Sequence, residues 1–172
     1  SKLKKYYVTG YKSGLGNHIF KTLENTFPFE EVPSTITKEK ESEYNVLILC
    51  GFNRISPTDK ILFDVLDRNV NRIQYKGGSF DHVIYMSTID VYPKLRDITF
   101  DEDYIFLNRD FYSIYQYQKI LSEQRLLNLG NQKITVFRLP ALVGKNCIPN
   151  SITKVINGEN CNLSGSSSFY AL

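Results

Sequence analysis

Thr9-Gly10-Tyr11-Lys12-Ser13-Gly14-Leu15-Gly16 is the stretch whose surroundings decide the fold. Before it, Tyr6-Tyr7-Val8-Thr9 is a short β-prone run that stops at Gly10. After it, Asn17 to about Thr26 has helical spacing, with Ile19, Phe20, Leu23 and Phe27 on one face and Pro28 closing it. Strand, glycine-rich turn and helix in that order predict a point where backbone N–H groups converge on an anion. Glycines let the backbone come close, and the helix N-terminus supplies partial positive charge. Lys12 adds a full charge. An ordinary tight turn explains the glycines alone, but not their place between a strand and a helix.

Working outward, Val46-Leu47-Ile48-Leu49-Cys50 is a continuous apolar run, as expected of a strand buried on both faces. The best second strand between it and the first helix is Phe29 to Ile36, interrupted at Val32-Pro33. Only Thr37 to Asn45 then remains, too little for a third strand and its helix. Ser56-Pro57-Thr58-Asp59 starts a helix that Ile61, Leu62, Val65, Leu66 and Ile73 continue and Gly77-Gly78 ends. His82 to Met86 reads as a strand, Arg109 to Asn128 as a long helix stopped by Gly130, and Ile134 to Leu139 as a strand broken at Pro140. From Lys145 the pattern weakens. Ser151 to Ile156 suits a short helix, Ser164 to Ser168 a loop, and Phe169 to Leu172 a strand. This alternation predicts an α/β fold, a Rossmann-type doubly wound parallel sheet trimmed on its second- and third-strand side.

Composition narrows the function classes. A length of 172 residues suits one domain, with an apolar share of 42% and a charged share of 23%, ordinary for a globular protein. A net charge of +3, evenly spread, gives no reason to expect nucleic acid. Cys50, Cys147 and Cys161 form no close pair, and His18 and His82 have no partners at ligand spacing. Neither a disulfide framework nor a metal site is expected. No apolar run is long enough for a membrane span, and no signal-peptide pattern follows the basic N-terminus. A cytoplasmic protein is the expectation.

Tyr115 and Lys119 stand four apart on the long predicted helix and so share a face. An ammonium beside a phenol favours the phenolate, and such a tyrosine can move a proton at a carbon–oxygen centre while a nicotinamide moves hydride. With 12 tyrosines in the chain, about one such pair arises by chance, so the pair alone carries little.

In chain order these pieces resemble the short-chain dehydrogenase/reductase family, in particular its extended branch of nucleotide-sugar epimerases, dehydratases and reductases. Thr9 to Gly16 matches the glycine turn. Val46 to Cys50 with Gly51 resembles the strand that passes beside the cofactor. Met86-Ser87-Thr88-Ile89-Asp90-Val91-Tyr92 resembles "S-S/T-x-x-V-Y". Tyr115 to Lys119 matches "Y-x-x-x-K", and Phe137 to Gly144 resembles the segment bordering the nicotinamide. The resemblance implies that Gly10, Ser13, Gly14, Leu15 and Gly16, with Lys12, hold the pyrophosphate of NAD or NADP. Cys50, Gly51 and Pro140 line the cofactor. Thr88, preferred over Ser87 by its offset from Val91-Tyr92, hydrogen-bonds the reacting oxygen. Tyr115 is the acid/base, and Lys119 holds the nicotinamide ribose and tunes Tyr115.

It also implies a nucleotide-sugar substrate, a place in polysaccharide biosynthesis, and a homodimer through the long helix, where Tyr112 and Tyr117 would suit the contact. Two departures matter. Related dehydratases place Asp-Glu after the threonine, whereas here Ile89-Asp90 follows Thr88, so epimerisation or ketone reduction is expected over loss of water. Extended members also continue further, so residues 1–146 are expected to form the cofactor domain and 147–172 a remnant or start of a substrate-binding region. A cofactor-binding or regulatory module without catalysis is the alternative. The choice between NAD and NADP stays open. Glu30 and Glu31 stand early for binding the adenosine ribose, whereas Ser34, Thr35 and Lys38 suit a 2′-phosphate.

Overall fold

Five short β-prone runs become five parallel strands in the computed structural model, which describes residues 2–32, 43–50, 80–92, 114–130, 132–140, 142 and 156–158, with 114, 115 and 117 described in backbone only. The strands are β1 (Leu3–Thr9), β2 (Thr26–Pro28), β3 (Glu43–Leu49), β4 (His82–Thr88) and β5 (Ile134–Leu139). The helices are α1 (Gly14–Thr22) and α2 (Ile114–Leu127), with single 3-10 turns at Phe29–Glu31 and Ile89–Val91. The sheet order is β2-β1-β3-β4-β5, every pairing parallel. The α/β, Rossmann-type parallel sheet expected from the sequence is the architecture found.

Alternation along the central strands divides the core. Tyr7, Leu47, Leu49, Val83 and Tyr85 pack on one face with Leu126 of α2. Val8, Val46 and Ile48 pack on the other, against Ile19 of α1. Helices on both faces explain why β3 is apolar at consecutive positions: Val46 to Leu49 are all buried. Burying each such side chain contributes roughly 1.5–3 kcal/mol, so the central strands dominate the stability.

Several expectations are corrected, most of them in the first half of the chain. The helix after the glycine turn runs from Gly14 to Thr22, not from Asn17 to Thr26. It starts earlier because the turn itself supplies its first residues. It stops earlier because Leu23 turns extended and Asn25 adopts a left-handed conformation (φ 53°). Thr26 Oγ1 donates to the Leu23 carbonyl at 2.7 Å, and Tyr6 N–H to the Asn25 carbonyl at 2.9 Å, which brings the chain straight back beside β1. Pro28 therefore closes a strand, not a helix. The second strand is Thr26–Pro28 rather than Phe29 to Ile36. Phe27 is not on the helical face of Ile19; it packs in the opposite core, with its ring centroid 5.8 Å from that of Tyr7. β4 also runs two residues beyond Met86, to Thr88.

Among the described residues no strand lies beyond β2, in keeping with a trimmed sheet. The helix expected from Ser56 to Ile73, its stop at Gly77-Gly78, residues 109–113 of the long helix, Cys147, Cys161 and the elements after 158 lie outside the described residues. No helix among the described residues is long and apolar enough to cross a membrane.

Candidate cofactor and active site

The sheet order fixes where a ligand can sit. β1 leads to β2 on one side and the chain then returns to β3 on the other, so the connections leaving β1 and β3 diverge at their C-terminal ends. That divergence opens a crevice, the usual ligand position in such sheets. The register aligns Thr9 with Leu49, Leu49 with Tyr85, and Thr88 with Leu139. Gly10, Cys50, Thr88 and Pro140 therefore all stand at or just past the C-terminal edge, and Thr9 Oγ1 stitches β1 to β3 there by accepting the Cys50 N–H at 3.0 Å.

The glycine turn has the shape an anion needs. Gly10 (φ 67°) and Gly14 (φ 58°) both take left-handed backbone, which L side chains rarely adopt. Gly16 is buried against the end of β1. A Cβ there would overlap the Gly10 carbonyl oxygen and stand 2.7 Å from its carbon. Asn17 Nδ2 donates to the Tyr11 carbonyl at 2.9 Å, so the side chain of the helix's own first turn holds the loop in place. Ser13 occupies the N-cap with no side-chain cap, and no acidic residue stands in the first turn. The leading N–H groups of α1 thus lack a carboxylate or hydroxyl acceptor at the position where helices usually have one. Lys12 is exposed, its Nζ 5.9 Å from the Tyr11 ring centroid. Shape, open amides and charge together fit a pyrophosphate.

Across the crevice, Thr88 ends β4. Its Oγ1 accepts the Asp90 N–H at 3.1 Å and so caps the 3-10 turn. A hydroxyl that accepts in this way keeps its own hydrogen to give. Ser87, one residue earlier, is buried, and its hydroxyl has no hydrogen-bond partner among the described residues.

Lys119 comes to the same edge from α2. It is 6% exposed, donates to the Met86 carbonyl at 3.0 Å, and has its Nζ 5.1 Å from the Tyr85 ring centroid. Burial pushes its pKa down to about 8, against the pull of Cys50 and Glu123. Burial likewise pushes the Cys50 thiol up to about 12, against the pull of Lys119. Cys50 is thus a neutral thiol at neutral pH, and the charge support for Lys119 comes from Glu123. Tyr115 lies in the first turn of α2, four positions before Lys119. Gly51 lies outside the described residues.

A pH dependence follows. The folded pKa of Lys119, about 8, lies below the unfolded value of 10.5. Between these values the unfolded chain binds the proton more tightly, so this group makes stability rise with pH. Cys50 acts oppositely above its ordinary value of 9.0. Chemical denaturation at pH 7.5 and pH 10 should therefore show wild type gaining up to ~3 kcal/mol relative to Lys119→Met. Equal pH dependence in the two proteins would contradict the burial of a titrating lysine.

Several residues of the site were not singled out from the sequence: Asn17, Gln116, Glu123 and Arg138. Each had a local signal. Asn17 is a polar residue directly after the last glycine, Glu123 stands one helical turn beyond Lys119, and Arg138 interrupts the apolar run of β5.

No known family model matches the chain, and no curated protein matches it in sequence. Solved structures do match. UDP-N-acetylglucosamine 4-epimerase from Bacillus cereus superposes with a TM-score of 0.66 at 19% identity, over 91% of this chain and 66% of that one. UDP-N-acetylglucosamine 4-epimerase from Methanobrevibacter ruminantium M1, in complex with UDP-N-acetylmuramic acid, matches with a TM-score of 0.62 at 17% identity, over 92% and 64%. RMD from Pseudomonas aeruginosa, complexed with NADPH, matches with a TM-score of 0.57 at 18% identity, over 80% and 52%. A dehydratase and a reductase domain are among the other matches. At this identity the likeness establishes the fold alone, a parallel α/β sheet of the Rossmann type. The chain spans between about half and two thirds of the length of these three structures.

Proposed function

We propose that the chain binds a nicotinamide dinucleotide at the Gly10–Gly16 turn and carries out reduction or epimerisation of a nucleotide sugar with Thr88, Tyr115 and Lys119. The observation that carries this reading is the meeting of two unusual features at one sheet edge: an uncapped helix N-terminus shaped by Gly16, and a buried lysine beside the end of β4. The sugar-nucleotide enzymes that share the fold support the substrate class.

In this reading Gly10, Ser13, Gly14, Leu15 and Gly16 hold the pyrophosphate, with Lys12 at its rim. Cys50, Gly51 and Pro140 border the cofactor. When bound, the nicotinamide supplies hydride exchange at a sugar carbon. The chain's own residues handle the oxygen on that carbon. Thr88 donates a hydrogen bond to it, Tyr115 gives or takes its proton, and Lys119 holds the ribose while favouring the phenolate. Ile89 stands where elimination would use an acid, so loss of water is not part of the proposal.

The corrected second strand bears on the cofactor. β2 ends at Pro28, and Glu30 and Glu31 follow at once in the 3-10 turn, both exposed. They are not early for the adenosine ribose; they stand at the end of the strand, where a carboxylate binds a free 2′-hydroxyl and repels a 2′-phosphate. NADH should bind at least ~10-fold more tightly than NADPH, and Glu30→Gln with Glu31→Gln should narrow the gap. Titrating both cofactors checks this, and equal or tighter NADPH binding would contradict it. Incubation with NAD and UDP-N-acetyl sugars, followed by chromatography, tests the reaction. Tight cofactor binding with no turnover of any nucleotide sugar would favour a binding module instead.

A further inference from the structure

α2 buries an unusual set of polar side chains: Gln116, Gln118, Lys119, Ser122 and Glu123. Three of them, Gln116, Lys119 and Glu123, fall on one helical face by their spacing. Each reaches a different part of the β4–β5 edge. Gln116 Nε2 donates to the Asp90 carbonyl at 2.7 Å. Lys119 Nζ donates to the Met86 carbonyl at 3.0 Å. Glu123, 3% exposed, receives a fork from Arg138 of β5, Nε to Oε1 at 3.1 Å and Nη2 to Oε2 at 2.9 Å. The remaining arm of Arg138, Nη1, donates to the Tyr92 hydroxyl at 2.8 Å, and Tyr92 directly follows the 3-10 turn that Thr88 caps.

We propose that Tyr92, Glu123 and Arg138 form a partly buried clamp that sets the position of Lys119 on α2 relative to Thr88 at the end of β4. The inference rests on the function proposed above and adds positioning residues to it. The geometry gives the reason. Thr88 and Lys119 belong to different elements, and nothing in the sheet ladder fixes the height of α2 over β4. A guanidinium is planar, and its donors have fixed directions. With one edge on Glu123 and its other arm on Tyr92, Arg138 holds the helix and the strand-end segment in one frame. Val91, in the 3-10 turn directly before Tyr92, is fully buried and adds packing to the same segment. The clamp lies one helical turn beyond Lys119, so a shift of the helix moves Lys119 with it.

The test uses the full chain with Arg138→Lys, which keeps the charge and loses the fork, and Tyr92→Phe, which removes a single oxygen. Amide hydrogen exchange followed by mass spectrometry reads the clamp without any cofactor. In both variants the segments 88–92 and 114–127 should exchange about tenfold faster together. Unchanged exchange, or loss of protection in only one segment, overturns the proposal. If Arg138→Lys does not fold, Tyr92→Phe carries the test.

The second readout is kinetic. Turnover should fall about 10-fold in Tyr92→Phe and about 100-fold in Arg138→Lys, while the Kd for NADH rises by a much smaller factor, because Lys119 is one of several proposed cofactor contacts and the glycine turn is untouched. A change in Kd and kcat in equal proportion, or wild-type kcat in a folded variant, also overturns it. If wild type neither binds NADH nor turns over a nucleotide sugar, the proposed function fails, and the exchange data still decide whether the clamp exists.

Discussion

Gly16→Ala is expected to weaken NADH binding at least ~100-fold, a loss of about 2.7 kcal/mol. The reason is local and geometric. The methyl group would overlap the Gly10 carbonyl oxygen, and the Thr9 carbonyl oxygen would be only 3.1 Å from it. Both neighbours are backbone, so neither can swing aside. The first turn of α1 must withdraw from the end of β1, and the N–H groups of Gly14, Leu15 and Gly16 withdraw with it. Overpacking of this kind also costs about 1–3 kcal/mol of stability. Gly130→Ala is the matched control, because a Cβ there meets nothing within 4 Å. The pair would be compared by nicotinamide fluorescence titration and by urea denaturation. Wild-type affinity in Gly16→Ala would mean that the turn is not the binding site.

Tyr115→Phe is expected to lower turnover by roughly 10²–10⁴-fold, the range for loss of a positioned acid/base. The Kd for NADH should stay within about twofold, because the turn proposed to hold the pyrophosphate is on the other side of the crevice. That separation follows from the topology. The glycine turn leaves β1, whereas Tyr115 sits in the first turn of α2, the helix packed over β4 and β5. The Lys119 ammonium loses charge as the pH rises through about 8, and in the proposed mechanism its support for a phenolate at Tyr115 goes with it. Turnover that survives in Tyr115→Phe would remove the tyrosine from the mechanism, whatever the cofactor data show.

How much of this could be read from the residues differs along the chain. The long apolar run of β3, the strand at β5 and the glycine turn carried strong local signals, and the structure has them where they were expected. The second strand was misplaced for a physical reason. It is three residues long, ends in proline and, among the described residues, pairs with β1 alone, so it shows neither alternation nor a buried run. Phe27 happened to fall on the helical stripe of Ile19, which lengthened the apparent helix. The start of α1 was hidden because Gly14 and Gly16 are poor helix formers, and Gly16 packs directly against the end of β1.

The site divides in the same way. Gly10, Thr88 and Lys119 were legible because a motif in chain order points to them. The Tyr92–Glu123–Arg138 cluster was not, because an ion pair and a hydrogen bond join residues from three parts of the chain and no short spacing encodes it. The correction to β2 also changed a chemical expectation. With the strand ending at Pro28, Glu30 and Glu31 directly follow it in the 3-10 turn, which is the basis of the proposed preference for NADH.

The most direct measurement is a titration of the purified full chain with NADH, following nicotinamide fluorescence. Saturable one-site binding, with a Kd on the order of 1–100 μM and competition by NAD, is the expected result. A folded protein that gives no saturable signal up to about 1 mM NADH would contradict dinucleotide binding at the Gly10–Gly16 turn.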